Sequence, residues 1–401
     1  MRGRSHPRPA SPIAAEELRT HPVRATIAAL AANLVGIGIA RFGYTPLIPA
    51  LIAAEWFRPS AAVYLGAANL AGYLAGALTA RRVGRAIGPA TTLRGAMALT
   101  VVSLFACAFP LGFAWYFVWR FISGMTGGAA MALAAPTVLA HLPPERRAIA
   151  GGVVFTGVGL GIAASGTLVP VLVGWGVREA WFGFAALAAV LTAVTWRDWP
   201  RGAPPAAAQQ AEHQSGPLRA LYLEYALIAA GQVPHMVFLV DFIARGLGRG
   251  LASGGRYWIV FGAGALIGPL VAGHLGRRFG FRLLLRAGFL WQAAAIALLL
   301  VAVSPPALVA SSFVMGMSVP GIVATVIGRT HELIPHGPTR QAAAWSFCTL
   351  AFALGQAIAG YLYSYIFAHT ADAYPTLFAL GAAAMLVALA VDFAAGRRQD
   401  S

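Results

Sequence analysis

The four residues Arg81-Arg82-Val83-Gly84 have a close copy, Arg277-Arg278-Phe279-Gly280, which follows 196 residues further along the chain. The same offset relates Gly159 to Gly355, two glycines in apolar stretches that lie well away from the first pair. Two separated matches at one offset indicate an internal repeat. We therefore predict that the 401 residues form two halves of similar structure.

The composition around these motifs is strongly apolar. Apolar residues make up 59% of the chain and charged residues only 10%, whereas a soluble domain carries about 25% charged residues. Such an excess cannot be buried in the cores of a soluble protein of this size, so it must face lipid. Twelve apolar segments come close to or exceed the ~20 residues that cross a bilayer. We predict an all-α membrane protein whose transmembrane helices cover residues 25–54, 61–80, 91–110, 113–141, 149–173, 179–196, 218–244, 256–276, 283–303, 306–330, 341–367 and 374–394.

The twelve predicted helices fall into two groups of six. The stretch 197–217 is rich in Pro, Ala and Gln and has no apolar period, so it is predicted to be a linker between bundles at 25–196 and 218–394. Short polar tails are predicted at 1–24, which lacks the pattern of a cleaved signal peptide, and at 395–401. Six is an even number of crossings, so the two repeats run in the same direction through the membrane.

The positive charges predict the orientation. The net charge is +16, and all 29 basic residues are Arg. Loops on one side of the predicted membrane hold 22 Arg, loops on the other side hold five, and Arg41 and Arg120 fall inside it. Because Arg accumulates on the cytoplasmic side, we predict a bacterial inner-membrane protein with both termini and the linker in the cytoplasm. The basic charge is therefore assigned to membrane topology, and no nucleic-acid partner is expected.

Cysteine labelling tests this orientation. A Cys introduced at Ser253 should react with an impermeant reagent added to intact cells, and a Cys introduced at Gln209 should be protected. The reverse pattern would show that the orientation is wrong.

Several motifs resemble a known transporter family. GIGIARFGYTPLIPAL (Gly36–Leu51), together with GVGLGIAASG (157–166) and GQAIAG (355–360), resembles the YbfB/YjiJ-type branch of the major facilitator superfamily. The stretches 77–85 and 273–282 resemble the superfamily loop between helices 2 and 3, and RFISG (120–124) resembles its helix 4 signature. The resemblance implies two parallel six-helix bundles that work by alternating access. The protein is expected to be a monomer.

The resemblance also implies a gate at the repeated loop. Its residues in this chain are Arg81, Arg82, Gly84, Arg85, Arg277, Arg278 and Gly280. The Asp that is usual in that loop is replaced by Arg81 and Arg277, so the Asp-centred charge network cannot be carried over. The Gly-Pro pair typical of proton antiporters is absent from 157–166, which weighs against drug/proton exchange.

Arg41 is the leading candidate for a binding residue. A charge near the middle of a transmembrane helix costs from about 2.5 to more than 10 kcal/mol on different scales, so it must be paired, hydrated or functional. Glycines and prolines surround Arg41 in the first segment and Gln232 and His235 in the seventh, and such interrupted helices in matching positions indicate a midplane site. We predict a substrate site formed by Arg41, Tyr44, Arg120, Gln232 and His235.

Each of these residues also has a structural alternative. Arg41 could hold a structural pair, and Arg120 could extend to the membrane surface beside the aromatic residues that precede it. Tyr44 and His235 could be packing residues. Glu224, the clearest carboxylate inside a predicted segment, is the candidate for proton coupling together with His235, and its alternative is a salt bridge to a loop Arg. Asp241 is expected to pair with Arg245 or Arg249.

The remaining motifs restrict the function. The absence of Lys excludes a Walker A loop and a Schiff base, so the chain cannot be its own P-loop ATPase, and no cofactor is expected. His331 and His336 are five residues apart instead of the four of a zinc helix, so no metal site is predicted and an intramembrane enzyme is a remote alternative. A sensor is disfavoured because the tails and linker are too short for a signalling domain.

The expected function is secondary transport of a small organic solute in the lipid bilayer, coupled to protons. Because Arg41, Arg120 and His235 outweigh one carboxylate, Glu224, an organic anion or zwitterion is favoured as the substrate. The main alternative is a proton-driven efflux pump for drugs or other hydrophobic compounds.

Overall fold

The computed structural model describes residues 22–200, 216–371 and 373–397. Most of the predicted linker and most of each predicted tail therefore lie outside the described residues, whereas residues 22–24 and 395–397 belong to the first and last helices. Within these ranges the chain forms twelve helices long and apolar enough to cross a membrane. They are α1 Pro22–Ala53, α2 Pro59–Ile87, α3 Pro89–Ala106, α4 Phe113–Leu139, α5 Pro144–Val173, α6 Val177–Thr195, α7 Gly216–Gly246, α8 Gly250–Phe279, α9 Phe281–Val301, α10 Pro305–Leu333, α11 Pro338–His369 and α12 Ala373–Arg397.

All twelve predicted helices are confirmed, but the stretch predicted to be a loop after the second helix is helical. Arg81, Arg82, Gly84 and Arg85 lie in the last turns of α2, which continues to Ile87. The connection to α3 is Gly88, whose φ of 88° favours glycine. The same holds in the second half, where Arg277 and Arg278 end α8, and Gly280, with φ of 86°, leads into α9.

Close helix packing confirms the internal repeat. A Cβ atom built on Gly72 of α2 would lie 1.9 Å from the carbonyl oxygen of Phe121 in α4. A Cβ atom on Gly268 of α8 would lie 2.0 Å from the carbonyl oxygen of Met317 in α10. Both glycines and both carbonyl residues are related by the offset of 196. The two halves therefore share one packing arrangement, in which the α2–α4 and α8–α10 pairs are in backbone contact.

The glycine match of the fifth and eleventh helices is shifted by two residues. Gly355 packs on the carbonyl oxygen of Ala226 in α7, and Gly157 packs on that of Leu30 in α1. The structural counterpart of Gly355 is thus Gly157. Gly159, which the sequence paired with Gly355, instead contacts Leu266 of α8 and belongs to the seam between the two halves.

The two halves meet along three lines. Helix α5 packs on α8, and α2 packs on α11, on opposite sides of the molecule. The third line joins α1 and α7 at the end of the molecule where the α1–α2 and α7–α8 connections lie, here called the Arg-poor end. At the opposite, Arg-rich end, which carries the α2–α3 and α8–α9 connections, α4 and α10 are not among the extensively packed helix pairs. The seam between the halves is therefore sealed at the Arg-poor end.

Helices α1 and α7 are both irregular at mid-depth, as the Gly and Pro positions predicted. Residues Leu34–Ile39 of α1 and Pro234–Phe238 of α7 form wide π-helical turns. In α1 the amide of Tyr44 bonds to the carbonyl of Arg41, three residues back. The carbonyl of Ala40, which a regular helix would pair with that amide, is therefore left for a side chain.

Candidate functional site

Arg41 lies at the seam between the two halves. Its side chain is 8% exposed. One terminal nitrogen, Nη2, donates to Oε1 of Gln356 in α11 at 2.6 Å, and the guanidinium lies 4.9 Å from the ring centre of Tyr73. No carboxylate in the described parts of the chain lies within ion-pair distance of Arg41. The guanidinium thus joins one half to the other through a neutral partner.

A cavity extends from Arg41 toward the Arg-rich end. Its volume is ≈ 50 Å³. Helices of both halves line it, and its wall is mainly aromatic and aliphatic around the polar groups of Arg41, Gln356 and Thr349. The aromatic residues are Phe42, Tyr73, Phe155, Tyr225, Trp345 and Phe352. Ligand pockets usually measure about 300 Å³ or more, so the halves must part further before an organic solute fits.

Arg120 is a buried residue and does not extend to the membrane surface. It is 1% exposed. Its Nη1 donates to the free carbonyl of Ala40 at 2.6 Å, and its guanidinium lies 4.1 Å from the ring centre of Tyr44. Arg120 therefore supports, from within the first half, the irregular turn of α1 that carries Arg41 to the seam.

The hydroxyls of the neighbouring residues Tyr44 and Thr45 bond in different directions, and the bond from Thr45 crosses the seam. The hydroxyl of Tyr44 donates to the carbonyl of Ala62 at 2.8 Å, within the first half. The hydroxyl of Thr45 donates to the carbonyl of Met236 in α7 at 2.5 Å. This second bond between the halves helps to seal the Arg-poor end.

Gln232 and His235 are not brought to the cavity that Arg41 lines. Both are fully buried and face the interior of the second half. Nε2 of Gln232 donates to Gln292 at 2.8 Å, and Nε2 of His235 lies 2.8 Å from Oγ of Ser311. Since that hydroxyl donates to the carbonyl of Ala295, the His235 Nε2 must carry the proton of this bond. The alternative reading of His235 as a hydrogen-bonded packing residue fits this geometry.

Glu224 also lies away from the cavity. It is 3% exposed and lines a small pocket near the Arg-rich end together with Arg282, Arg329 and Asp392. Asp392 forms ion pairs with Arg282, at 3.9 Å, and with Arg286. Among the described residues no basic group lies within 4.0 Å of Glu224. The carboxylate thus sits in a charge cluster between α7, α9, α10 and α12, outside the central cavity.

The other charged residues singled out in the sequence form a local ion pair or are exposed. Asp241 pairs with Arg245, as expected, with Nε to Oδ1 at 2.5 Å. The five arginines of the predicted gate are exposed and, in the described ranges, form no ion pair. No group of three or more His, Cys, Asp and Glu residues suited to a metal ion occurs in that same part of the chain.

Gln356 is the functional candidate that the sequence prediction missed. It is fully buried, and besides accepting from Arg41 it approaches the sulfur of Met236 with Nε2 at 3.6 Å. A signal was present, because an amide inside an apolar membrane segment is costly unless it is hydrogen-bonded. In the sequence, the GQAIAG motif (355–360) indicates only the family resemblance and, through Gly355, the internal repeat.

Two parallel six-helix bundles around a central cavity, with broken first and seventh helices, define a secondary transporter of the major facilitator type. Residues 33–393 match the family described as uncharacterised MFS-type transporter YbfB. The chain belongs to this family, so it is a membrane transporter and not an enzyme.

Solved structures share the fold. A mutant of the nucleoside transporter NupG superposes with a TM-score of 0.71 at 13% identity, covering 92% of this chain and 99% of that one. A bacterial homologue of the human lysosomal transporter Spinster, in an inward-facing and occupied conformation, superposes with a TM-score of 0.70 at 16% identity, covering 97% and 98%. No curated protein matches the chain.

Proposed function

We propose that this transporter carries a small organic anion with an apolar or aromatic body. The observation that supports the proposal is Arg41, a buried guanidinium at the head of an aromatic-lined cavity. Among the described residues its side-chain hydrogen-bond partner is the neutral amide of Gln356 alone. A carboxylate or phosphate on the solute would gain a charge-assisted contact there, and a guanidinium can make it with two parallel bonds. The aromatic wall would hold the rest of the molecule.

The position of Gln356 links binding to movement. Arg41 belongs to the first half and Gln356 to the second, so their bond helps to hold the halves together. An anionic group that takes the place of Gln356 on Arg41 removes that bond and supplies a stronger partner. Substrate binding then changes the contact between the halves, which is what an alternating-access cycle needs.

A second candidate is efflux of uncharged or cationic hydrophobic compounds. It is favoured by the aliphatic part of the wall, which includes Met131, Val158, Val319 and Val323. Such a lining binds apolar solutes without a charge requirement. The two candidates differ in whether Arg41 must be neutralised by the substrate.

Ligand-induced stabilisation distinguishes them. Purified protein is heated with matched series of aromatic carboxylates, the corresponding amides and the corresponding amines, since a bound ligand raises the apparent stability. Carboxylates that raise Tm where their amides and amines do not would support the anion proposal. Amines or neutral compounds that stabilise equally well would favour hydrophobic efflux. Uptake of the best labelled compound by proteoliposomes then tests transport.

We further propose that protons drive the transport and that Glu224 is the coupling residue, acting from the charge cluster and not from the cavity. Glu224→Gln mimics the protonated carboxyl, so we expect it to abolish accumulation driven by a pH gradient while substrate exchange continues. Glu179→Gln, at an exposed carboxylate at the start of α6, is the matched control and should retain both activities. Loss of exchange as well, in a folded Glu224→Gln protein, would assign Glu224 a structural role.

The proposal also includes the membrane in which the protein lies and its orientation there. The 22 to 5 division of Arg residues supports a bacterial inner-membrane protein with cytoplasmic termini. With that orientation the cavity extends toward the cytoplasm and the seal faces outward. We propose that a single chain is the working unit, because both walls of the cavity come from one chain.

A further inference from the structure

A second, smaller cavity lies on the side of Arg41 that faces the Arg-poor end. Its volume is ≈ 20 Å³, which is room for a particle about the size of a water molecule. The polar side chains in its wall come from the first half, and α7 contributes apolar ones from the second. Its lining includes Arg41, Tyr44, Thr45, Asn69, Arg120 and Met236.

The charges around this cavity are unbalanced. Arg41 and Arg120 both line it and are 8% and 1% exposed. No carboxylate of the described ranges pairs with either guanidinium. Nε of Arg120 is buried and has no hydrogen-bond partner among the residues that the structure describes. Two neighbouring positive charges in a medium of low dielectric repel each other and are costly to leave without a counter-charge.

We infer that a monovalent anion of halide size binds between Arg41 and Arg120. The anion supplies the missing counter-charge and accepts from the unpartnered Nε of Arg120. A water molecule would fit the space but would leave both positive charges uncompensated. An organic substrate would not fit, because the cavity is small and the bond from Thr45 to Met236 closes it toward the Arg-poor end.

A bound halide also has a defined effect on the two halves. Val233, Met236 and Val237 of α7 complete a wall whose other members belong to α1, α2 and α4. The site is therefore complete only while the Arg-poor end is closed. An anion that binds only this arrangement stabilises it relative to any state in which α1 and α7 separate.

Thermal unfolding in matched salts tests the site. Purified protein in lipid nanodiscs is measured in sodium gluconate, and gluconate, which is too large for the cavity, is replaced stepwise by chloride at constant ionic strength. We expect Tm to rise with chloride and to saturate. A Tm that does not depend on chloride in the unmodified protein would overturn the inference. Gluconate is itself an organic carboxylate, but its concentration falls as chloride rises, so its binding at the proposed substrate site would make Tm fall along the series. A rise in Tm therefore reports the halide and is distinguishable from the substrate proposed above.

Two variants locate the anion. Arg120→Gln should lose the chloride dependence, whereas Arg58→Gln, which alters an exposed arginine at the Arg-poor end, should keep it. If Arg120→Gln does not fold, Arg120→Lys retains the positive charge with fewer donors, and the chloride concentration at half-saturation should rise about tenfold or more. An unchanged half-saturation in the Arg120 variants would place the anion elsewhere and overturn the assignment.

Discussion

Arg41→Ala is expected to weaken substrate binding at least tens-fold while the protein still folds. Removing one partner of a buried charge pair costs about 2 to 5 kcal/mol, and about 1.4 kcal/mol corresponds to a factor of ten. Arg41→Lys retains the charge but not the planar, two-pronged donor, so its affinity should be intermediate. The dissociation constant comes from ligand-induced shifts of Tm, and the KM from uptake by proteoliposomes.

Two further variants make this expectation specific. Gln356→Glu places a carboxylate beside Arg41, at the position from which Gln356 now accepts at 2.6 Å, and should suppress anion binding without removing the guanidinium. Arg58→Ala, at an exposed arginine outside the cavity, should leave KM unchanged. A well-folded Arg41→Ala protein with the KM of the unmodified transporter would reduce Arg41 to a structural residue and remove the main support for an anionic substrate.

Gly72→Ala should disrupt the fold of the first half. The added Cβ atom would lie 1.9 Å from the carbonyl oxygen of Phe121, so two backbones, and not a flexible side chain, must move apart. We expect a loss of about 3 kcal/mol or more, the upper end of the range for overpacked cores. The measurements are Tm and the fraction of monodisperse protein in size-exclusion chromatography.

The repeat supplies a second test position and the chain supplies a control. Gly268→Ala should behave like Gly72→Ala, because its Cβ would lie 2.0 Å from the carbonyl oxygen of Met317. At Gly95 in α3, apart from the adjoining backbone of its own helix, no atom of the described residues lies within 4 Å of the new Cβ. Gly95→Ala should therefore be neutral or slightly stabilising, since Ala favours a helix over Gly. A Gly72→Ala protein as stable as Gly95→Ala would show that the α2–α4 contact is not rigid.

The sequence was sufficient for the helices because length and hydropathy alone decide whether a segment crosses a bilayer. It was less reliable at helix ends. The predicted end of the second helix was residue 80, whereas α2 continues to Ile87. Hydropathy marks where the apolar stretch stops, but a helix continues through exposed residues such as Arg81 and Arg82 until its backbone is interrupted, here at Gly88.

The site was predictable only in part. The sequence indicates Arg41 because a charge inside a membrane segment is costly unless it is paired, hydrated or functional. This argument does not depend on the direction in which the side chain points. The prediction that Gln232 and His235 bind substrate rests on their depth in the membrane. In the structure both side chains face the interior of the second half. Depth does not tell which way a side chain points, and for His235 the direction also depends on the wide turn that begins at Pro234. Gln356 lies on a helix from the other half, and one sequence does not reveal which residue of the second half meets Arg41.

The wide turns of α1 and α7 also determine how the chain length around the site can change. A π-helical turn holds one residue more than the regular turn it replaces. Deleting one residue, such as Ile37, would replace the wide turn by a regular one without changing the face that the following residues present, because the extra residue is what the wide turn accommodates. Arg41 would then stay at the seam, but a regular backbone would pair the carbonyl of Ala40 with an amide and withdraw it from Arg120. Homologues that keep the contact between Arg120 and Ala40 should therefore keep the number of residues between 34 and 41.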